Sequence, residues 1–287
     1  MRCGNIEKKA PLPQVWGAGK KQDKRVPLCC TKQGIGNSLP GSPNLGRGGF
    51  FALYACALLC LLTCSAGQAQ TLPLAGLTVC IDPGHTSETS AGTQSHDGKL
   101  AERHVNWVEA VRLRTLLAAQ GAYVVLTKAS EGQIVTNRHR AEIANDAHAV
   151  LLLRLHCDSN APSGITTYYP DRQGTRFEVT GPSRKVIEKS HAAALVFQPA
   201  LVQSLRGELP SGGVKGDSAT FVGGKQGALT GSIFTQVPAL TVEMCVLTNA
   251  HDYAFIRTVS GQEQMARALL AGVLAYARMV QPSIRVY

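Results

Sequence analysis

Four residues that are far apart in the sequence are of the types that bind and use a hydrolytic metal ion. They are His85, Glu102, His156 and Glu243. Two imidazoles and one carboxylate are the protein ligands of a hydrolytic zinc site that leaves one position open for water. A second carboxylate beside such a site can accept a proton from the water and pass it to a leaving nitrogen. The residue types therefore predict His85, Glu102 and His156 as zinc ligands and Glu243 as general base.

Three of these four residues directly follow a predicted strand. The strands are Leu77–Ile81 before the turn Asp82–His85, Ala149–Leu155 before His156, and Ala239–Val242 before Glu243. Ligands of open parallel sheets bind outside the carboxyl ends of the strands. We therefore expect the three residues to meet at one edge of a sheet. Glu102 lies at the start of a predicted helix, Arg103–Gln120, so its carboxylate would point toward the same edge.

The chain around these residues alternates apolar runs with helical patterns. Such alternation indicates an α/β fold, here a single domain with a mostly parallel twisted sheet and helices on both faces. In the predicted helix Val135–Ala147, the charged residues suit a solvated face, and Arg140 is one of them. In the predicted helix Ser183–Leu205, Ser183 is an N-cap candidate and Pro199 is expected to break the helix.

Each of the four site residues, taken singly, also has an ordinary structural explanation. His85 follows a Pro-Gly turn and could be a surface loop residue, and His156 could be a satisfied core histidine. Glu102 could be a helix N-terminal acid favoured by the helix dipole. Glu243 could form a salt bridge with a surface arginine. Their joint placement at strand ends on one edge favours the metal site over these explanations.

The motifs that contain these residues also resemble, in type and order, a known enzyme family. The sequence has DPGH, then a glutamate 17 residues after its histidine within AERHVN, then LHCDS, then PALTVEMCVLTN. This pattern resembles the zinc-dependent N-acetylmuramoyl-L-alanine amidases of bacterial cell walls, over about Leu77 to Met279. The resemblance implies zinc bound by His85, Glu102 and His156, with Glu243 as the catalytic glutamate. It implies peptidoglycan as substrate and cleavage of the amide between N-acetylmuramic acid and L-alanine.

The sequence departs from the family pattern beside two of the motifs. The family usually has a glycine-rich stretch after DPGH, where this chain has Thr86–Ser90, and this changes the loop beside the metal. Cys157 stands at a position where the family more often has a smaller residue. Because side chains alternate along a strand, Cys157 should point away from the metal. The same rule predicts Cys245 on the side of Glu243.

The residues before the predicted domain have the composition of an export leader. Residues 1–47 carry a charge of +7 out of the total of +10, so the folded part is nearly neutral, and nucleic-acid binding is not expected. We interpret 1–47 as a disordered basic leader or a misassigned start. The apolar run Phe50–Cys64, with small residues after it, predicts a signal peptide over 48–69 and cleavage after Ala69. An uncleaved anchor is the less favoured alternative.

The predicted domains lead to a location and to alternative functions. Residues 70–287 would form a zinc amidase domain that is periplasmic or extracellular, is monomeric, and meets a membrane only through its signal segment. The sequence names no activating protein. The alternatives are a non-catalytic, zinc-containing peptidoglycan-binding protein and a zinc peptidase that acts on free peptides. The presence of Glu243 argues against the binding protein, because a binder needs no general base.

Overall fold

The computed structural model of the protein describes Val15–Trp16 and residues 72–281. The predicted basic leader, apart from Val15–Trp16, and the predicted signal peptide lie outside the described residues. The strands are β1 (Val15–Trp16), β2 (Thr78–Pro83), β3 (Tyr123–Leu126), β4 (Leu151–Asp158), β5 (Ile165–Tyr169), β6 (Gly174–Arg176), β7 (Val179–Gly181), β8 (Ser211–Gly216) and β9 (Ala239–Val246). The α-helices are α1 (Glu102–Ala119), α2 (Asn137–Asp146), α3 (Arg184–Leu205), α4 (Phe221–Gln226), α5 (Thr230–Phe234), α6 (Ala250–Ile256) and α7 (Val259–Val280).

Within the described part of the chain, seven strands form one sheet, in the spatial order β1-β3-β2-β4-β9-β5-β8. The four neighbours β3, β2, β4 and β9 run parallel to one another. β5 is antiparallel to β9 and parallel to β8, so the sheet is mixed but mostly parallel. The predicted fold class is therefore confirmed. The carboxyl ends of β2, β4 and β9 lie at one edge of the sheet, where the sequence predicted a site.

Alternating side chains of the strands divide the core between the two faces of the sheet. Val79 and Ile81 of β2 belong to the larger core, which α1, α3 and α7 cover. Cys80, between them, faces a smaller core that includes Ile143 and Ala144 of α2. This is the two-sided burial expected of parallel strands. Within residues 72–281 and Val15–Trp16, no helix combines the length and apolarity that crossing a membrane requires.

Helix α3 confirms one prediction of the sequence and contradicts another. The Ser183 hydroxyl accepts a hydrogen bond from the Val186 N–H and caps the helix, as predicted. The prediction that Pro199 breaks the helix was wrong, because α3 continues through it to Leu205. Proline leaves the carbonyl four residues earlier without its helical donor. That residue, Leu195, and Pro199 both lie on the exposed side of α3, where water can satisfy the carbonyl.

The segment between β5 and β9 contains elements that the sequence analysis did not predict. β6 and β7 form a hairpin, β8 extends the sheet, and α4 and α5 follow. β8 has the sequence SGGVKG, whose glycines give no apolar alternation to recognise. The side chain of Asp217, just after β8, accepts a hydrogen bond from the Leu229 N–H at 3.1 Å and so connects the end of β8 to the start of α5.

Candidate metal centre and catalytic edge

His85 lies in a tight turn that leaves the carboxyl end of β2. Its backbone is left-handed, with φ 67°, and Thr86 follows with φ 47°. Gly84 donates its N–H to the carbonyl of Leu155 at 2.9 Å, which ties the turn to β4. The imidazole of His156 packs directly on Gly84, where a Cβ atom would lie 2.3 Å from its Cε1. A glycine before His85 is therefore required for the two histidines to approach each other.

Glu102 is the first residue of α1 and is almost completely buried. Its Oε1 accepts a hydrogen bond from the backbone N–H of Cys157 at 3.0 Å. Its Oε2 accepts the N–H of Thr93 at 2.9 Å, and the Glu102 N–H donates to the Thr93 carbonyl in return. These bonds fix the carboxylate between the loop before α1 and the end of β4. The residue is thus held in place independently of the two histidines.

His85, Glu102 and His156 come together as a compact set of metal-ligating atoms, all within 4.8 Å of one another. His85 Nε2 lies 2.7 Å from Glu102 Oε1, and His156 Nδ1 lies 3.2 Å from both atoms. With Zn–N bonds of about 2.0–2.1 Å, tetrahedral ligands are roughly 3.3 Å apart. The donor types and spacings therefore fit a zinc ion. Their role as zinc ligands remains a prediction.

The protonation of two of these residues suits metal binding. Burial raises the pKa of Glu102, but hydrogen bonds from His156 and His85 outweigh it and hold the pKa well below its usual range. Burial lowers the pKa of His156 despite the opposing hydrogen bond with Glu102. At neutral pH the site therefore offers a carboxylate and a neutral imidazole, which are the forms that bind metal ions.

Glu243 lies beside this set, on the strand next to His156. The two residues are paired directly in the parallel ladder between β4 and β9. Glu243 Oε2 is buried and has no hydrogen-bond partner among the described residues. Burial raises the pKa of Glu243 well above its usual value, and the nearby charges of Glu102 and Asp158 add to the increase, while Arg154 opposes it. A carboxyl group whose pKa is raised in this way is a candidate for proton transfer.

The structure thus brings all four predicted residues to one edge of the sheet. Glu243 lies inside β9 and His156 inside β4, so both strands extend further than the sequence indicated. The sequence analysis missed Gly92, where a Cβ atom would lie 2.9 Å from the His85 ring. An isolated glycine in the polar loop before α1 was the available signal, because its φ of 91° favours glycine.

The two cysteines beside the site differ in how well the alternation rule predicts them. Cys157 points into the larger core, as predicted. Cys245 was predicted on the side of Glu243, and this was wrong, because it is fully buried in the same core. The paired positions here are His156 with Glu243 and Asp158 with Val246. β9 therefore contains one extra residue between them, and this bulge interrupts the alternation on which the prediction depended.

Arg140 contradicts the prediction of a solvated charged face on α2. Its side chain is buried and pairs with Asp82 of β2, which also accepts hydrogen bonds from Arg154 at 3.1 Å and from Thr127 at 2.5 Å. Burial raises the pKa of Asp82, but the charges of Arg140 and Arg154 outweigh it and hold the pKa well below its usual range. A buried arginine is stable here because a buried carboxylate compensates its charge.

Comparison with known proteins identifies similar chains. A family model described as N-acetylmuramoyl-L-alanine amidase matches residues 79–275. The N-acetylmuramoyl-L-alanine amidase LytC of Bacillus subtilis (strain 168) is 29% identical over 209 residues, which are 72% of this chain and 36% of LytC. The N-acetylmuramoyl-L-alanine amidase Rv3717 of Mycobacterium tuberculosis is 24% identical over 236 residues, covering 74% of this chain and 91% of that protein. This chain thus spans about a third of LytC but most of Rv3717.

A similar fold is present in a solved structure. The N-acetylmuramyl-L-alanine amidase Ami1 from Mycobacterium smegmatis superposes with a TM-score of 0.60 at 21% sequence identity. The superposition covers 72% of this chain and 99% of Ami1. At this identity the likeness shows a shared fold, which agrees with the mostly parallel sheet described above.

Proposed function

Since the chain belongs to the N-acetylmuramoyl-L-alanine amidase family, we propose that it is a zinc-dependent hydrolase that cleaves the amide between N-acetylmuramic acid and L-alanine in peptidoglycan. The convergence of His85, Glu102 and His156 supports the metal part of the proposal. A zinc ion held by these residues would supply Lewis acidity toward the amide carbonyl and the attacking water. The family membership supports the substrate.

Glu243 is the proposed general base, and its position carries this proposal. It is paired with His156 across two strands, and its buried Oε2 has no partner within the described part of the chain. This oxygen is therefore not part of a salt bridge with any described arginine. The free carboxylate oxygen can accept a proton from the attacking water. The raised pKa of Glu243 then allows it to hold that proton until it is delivered to the leaving nitrogen of L-alanine.

The experiment that tests this role is Glu243→Gln, which keeps the shape of the side chain but cannot take up a proton. We expect amide cleavage on purified sacculi to fall by roughly 10²–10⁴, the usual contribution of positioned proton transfer. Zinc measured on the same preparation should stay near the wild-type content. Glu188→Gln, on the exposed side of α3, is the matched control and should leave turnover unchanged.

Three results would separate the proposal from its alternatives. A Glu243→Gln variant that binds zinc and remains active would contradict the general-base role. A wild-type protein that binds zinc and sacculi but releases no stem peptides would be a binding protein. Cleavage of free peptides in preference to sacculi would indicate a zinc peptidase.

We also propose that the protein is exported and acts in the periplasm or outside the cell. The support is its membership of a cell-wall amidase family and the basic residue Arg47 followed by the apolar and small-residue pattern over 48–69. N-terminal sequencing of the exported protein should give a start near Gln70. A mature species that retains Phe50–Cys64 would show an anchored protein instead.

A further inference from the structure

The turn that presents His85 has a backbone conformation that its residues do not favour. His85 and Thr86 are both left-handed, with φ of 67° and 47°. Residues with a Cβ atom rarely adopt this region, and a β-branched residue such as Thr86 adopts it least readily. Such a conformation persists only when surrounding contacts determine it.

Arg140 of α2 provides most of these contacts through its planar guanidinium group. Its Nη2 donates to the carbonyl of His85 at 2.6 Å and lies 3.3 Å from the carbonyl of Thr86. Its Nη1 donates to the carbonyl of Pro83 at 2.8 Å. The side chain therefore holds carbonyl groups on both sides of the turn. Its pairing with Asp82 fixes the guanidinium group in turn.

Lys128, just after β3, approaches the same turn from a second direction. Its Nζ donates to the Thr86 hydroxyl at 2.8 Å and to the His85 carbonyl at 3.3 Å. The Thr86 hydroxyl also lies 3.0 Å from the carbonyl of Gln133, which connects the turn to the loop before α2. The His85 carbonyl thus accepts hydrogen bonds from two buried cations, and neither cation contacts the His85 imidazole in the described structure.

We propose that Arg140 and Lys128 are positioning residues for the metal centre, acting through the backbone of His85 and Thr86. By holding the left-handed turn, they keep His85 Nε2 close to the ligand atoms of Glu102 and His156. The inference rests on the proposed zinc site. It predicts that these cations determine metal affinity although neither is a ligand. A merely structural arginine would instead affect only the stability of α2 against the sheet.

Two variants separate positioning from stability. Arg140→Lys keeps the charge beside Asp82 but loses the planar fork that reaches four carbonyl groups, those of Pro83, His85 and Thr86 in the turn and that of Val135. Lys128→Met keeps the length of the side chain and leaves the pairing between Arg140 and Asp82 intact. It keeps the inference testable if Arg140→Lys does not fold. Arg138→Met is the matched control, because Arg138 is on the same helix but exposed, paired with Glu142 at 2.8 Å.

The measurement is zinc affinity by competition with a chelator, together with chemical unfolding of the metal-free protein. We expect each variant to bind zinc roughly 10–100-fold more weakly than the wild type, as is typical when the partners that orient a ligand are lost. In the metal-free variants, the Val135 N–H, which donates to the Thr86 carbonyl, should exchange faster with solvent. Arg138→Met should change neither quantity.

The outcomes distinguish this inference from the proposed function. Zinc affinity that is unchanged in both Arg140→Lys and Lys128→Met, with or without lower stability, would overturn the positioning role alone. A wild type that binds zinc but never cleaves sacculi would overturn the proposed function and leave the positioning role standing. A wild type that binds no zinc would overturn both.

Discussion

Glu109 is a buried carboxyl group, and its ionisation should make the stability of the protein depend on pH. It lies in α1, two turns after Glu102, and is completely buried. Neither carboxylate oxygen has a hydrogen-bond partner within the described residues. Burial raises the pKa of Glu109 from 4.5 to about 9, and the charge of Arg112 opposes this only in part. The folded protein should therefore keep Glu109 protonated at neutral pH.

The size and sign of the effect follow from this difference in pKa. The unfolded chain releases the proton near pH 4.5 and the folded protein holds it until about pH 9. The contribution of Glu109 to stability is thus fully present below pH 4.5 and is lost as the pH rises toward 9. Each pH unit in this window lowers the free energy of unfolding by about 1.36 kcal/mol. At pH 7 the loss amounts to about 3 kcal/mol.

Glu109→Gln removes this titration but keeps the shape of the neutral side chain. Relative to the wild type, the variant should become more stable with rising pH, by about 1.36 kcal/mol per unit between pH 5 and 8. The assay is urea unfolding at four pH values in this range at a fixed zinc concentration. Glu188→Gln is the control, because this side chain is exposed on α3 and the loss of an exposed charge should change stability by less than about 1 kcal/mol. A Glu109→Gln difference that does not change with pH would refute the reasoning.

Two further predictions concern the edge of the sheet. Gly84→Ala places a Cβ atom 2.3 Å from the ring of His156, so the variant should fold but lose most of its zinc, as metal analysis would show; full zinc content would contradict the packing argument. Asp82→Asn leaves two buried arginines uncompensated and should lower the unfolding free energy by about 3–5 kcal/mol at pH 7. Since the pKa of Asp82 is lowered on folding, its contribution is present above about pH 4 and lost in acid. Urea unfolding at pH 7 and pH 3 should therefore show the two proteins converging in acid, and a constant difference would contradict this.

The sequence predicted the parts of the fold that local patterns determine. β2, β4 and β9 begin as apolar runs, and each run is long enough to be recognised without its neighbours. Because these strands are parallel, the residues near their carboxyl ends had to meet at one edge. This rule brought His85, His156 and Glu243 together before any distance was known.

The features that the sequence did not predict depend on contacts between distant segments. Arg140 has the appearance of a surface residue until Asp82, 58 residues earlier, is seen to pair with it. One extra residue in β9 turns the side chain of Cys245 into the core. The register between two strands depends on how they pair, so the sequence of one strand does not predict it. Pro199 is tolerated because of where it lies around the helix, which depends on what α3 packs against.

The hairpin of β6 and β7 has a practical consequence for engineering the protein. Its tip, Phe177 and Glu178, is left-handed and exposed, and it lies beyond the end of β5 that is furthest from Glu243 in the strand pairing. Exposed tips of this kind are where chains best accept added sequence. We expect a reporter peptide or a second binding domain inserted after Phe177, which stacks on Phe234, to leave the strand ends with the proposed site residues in place.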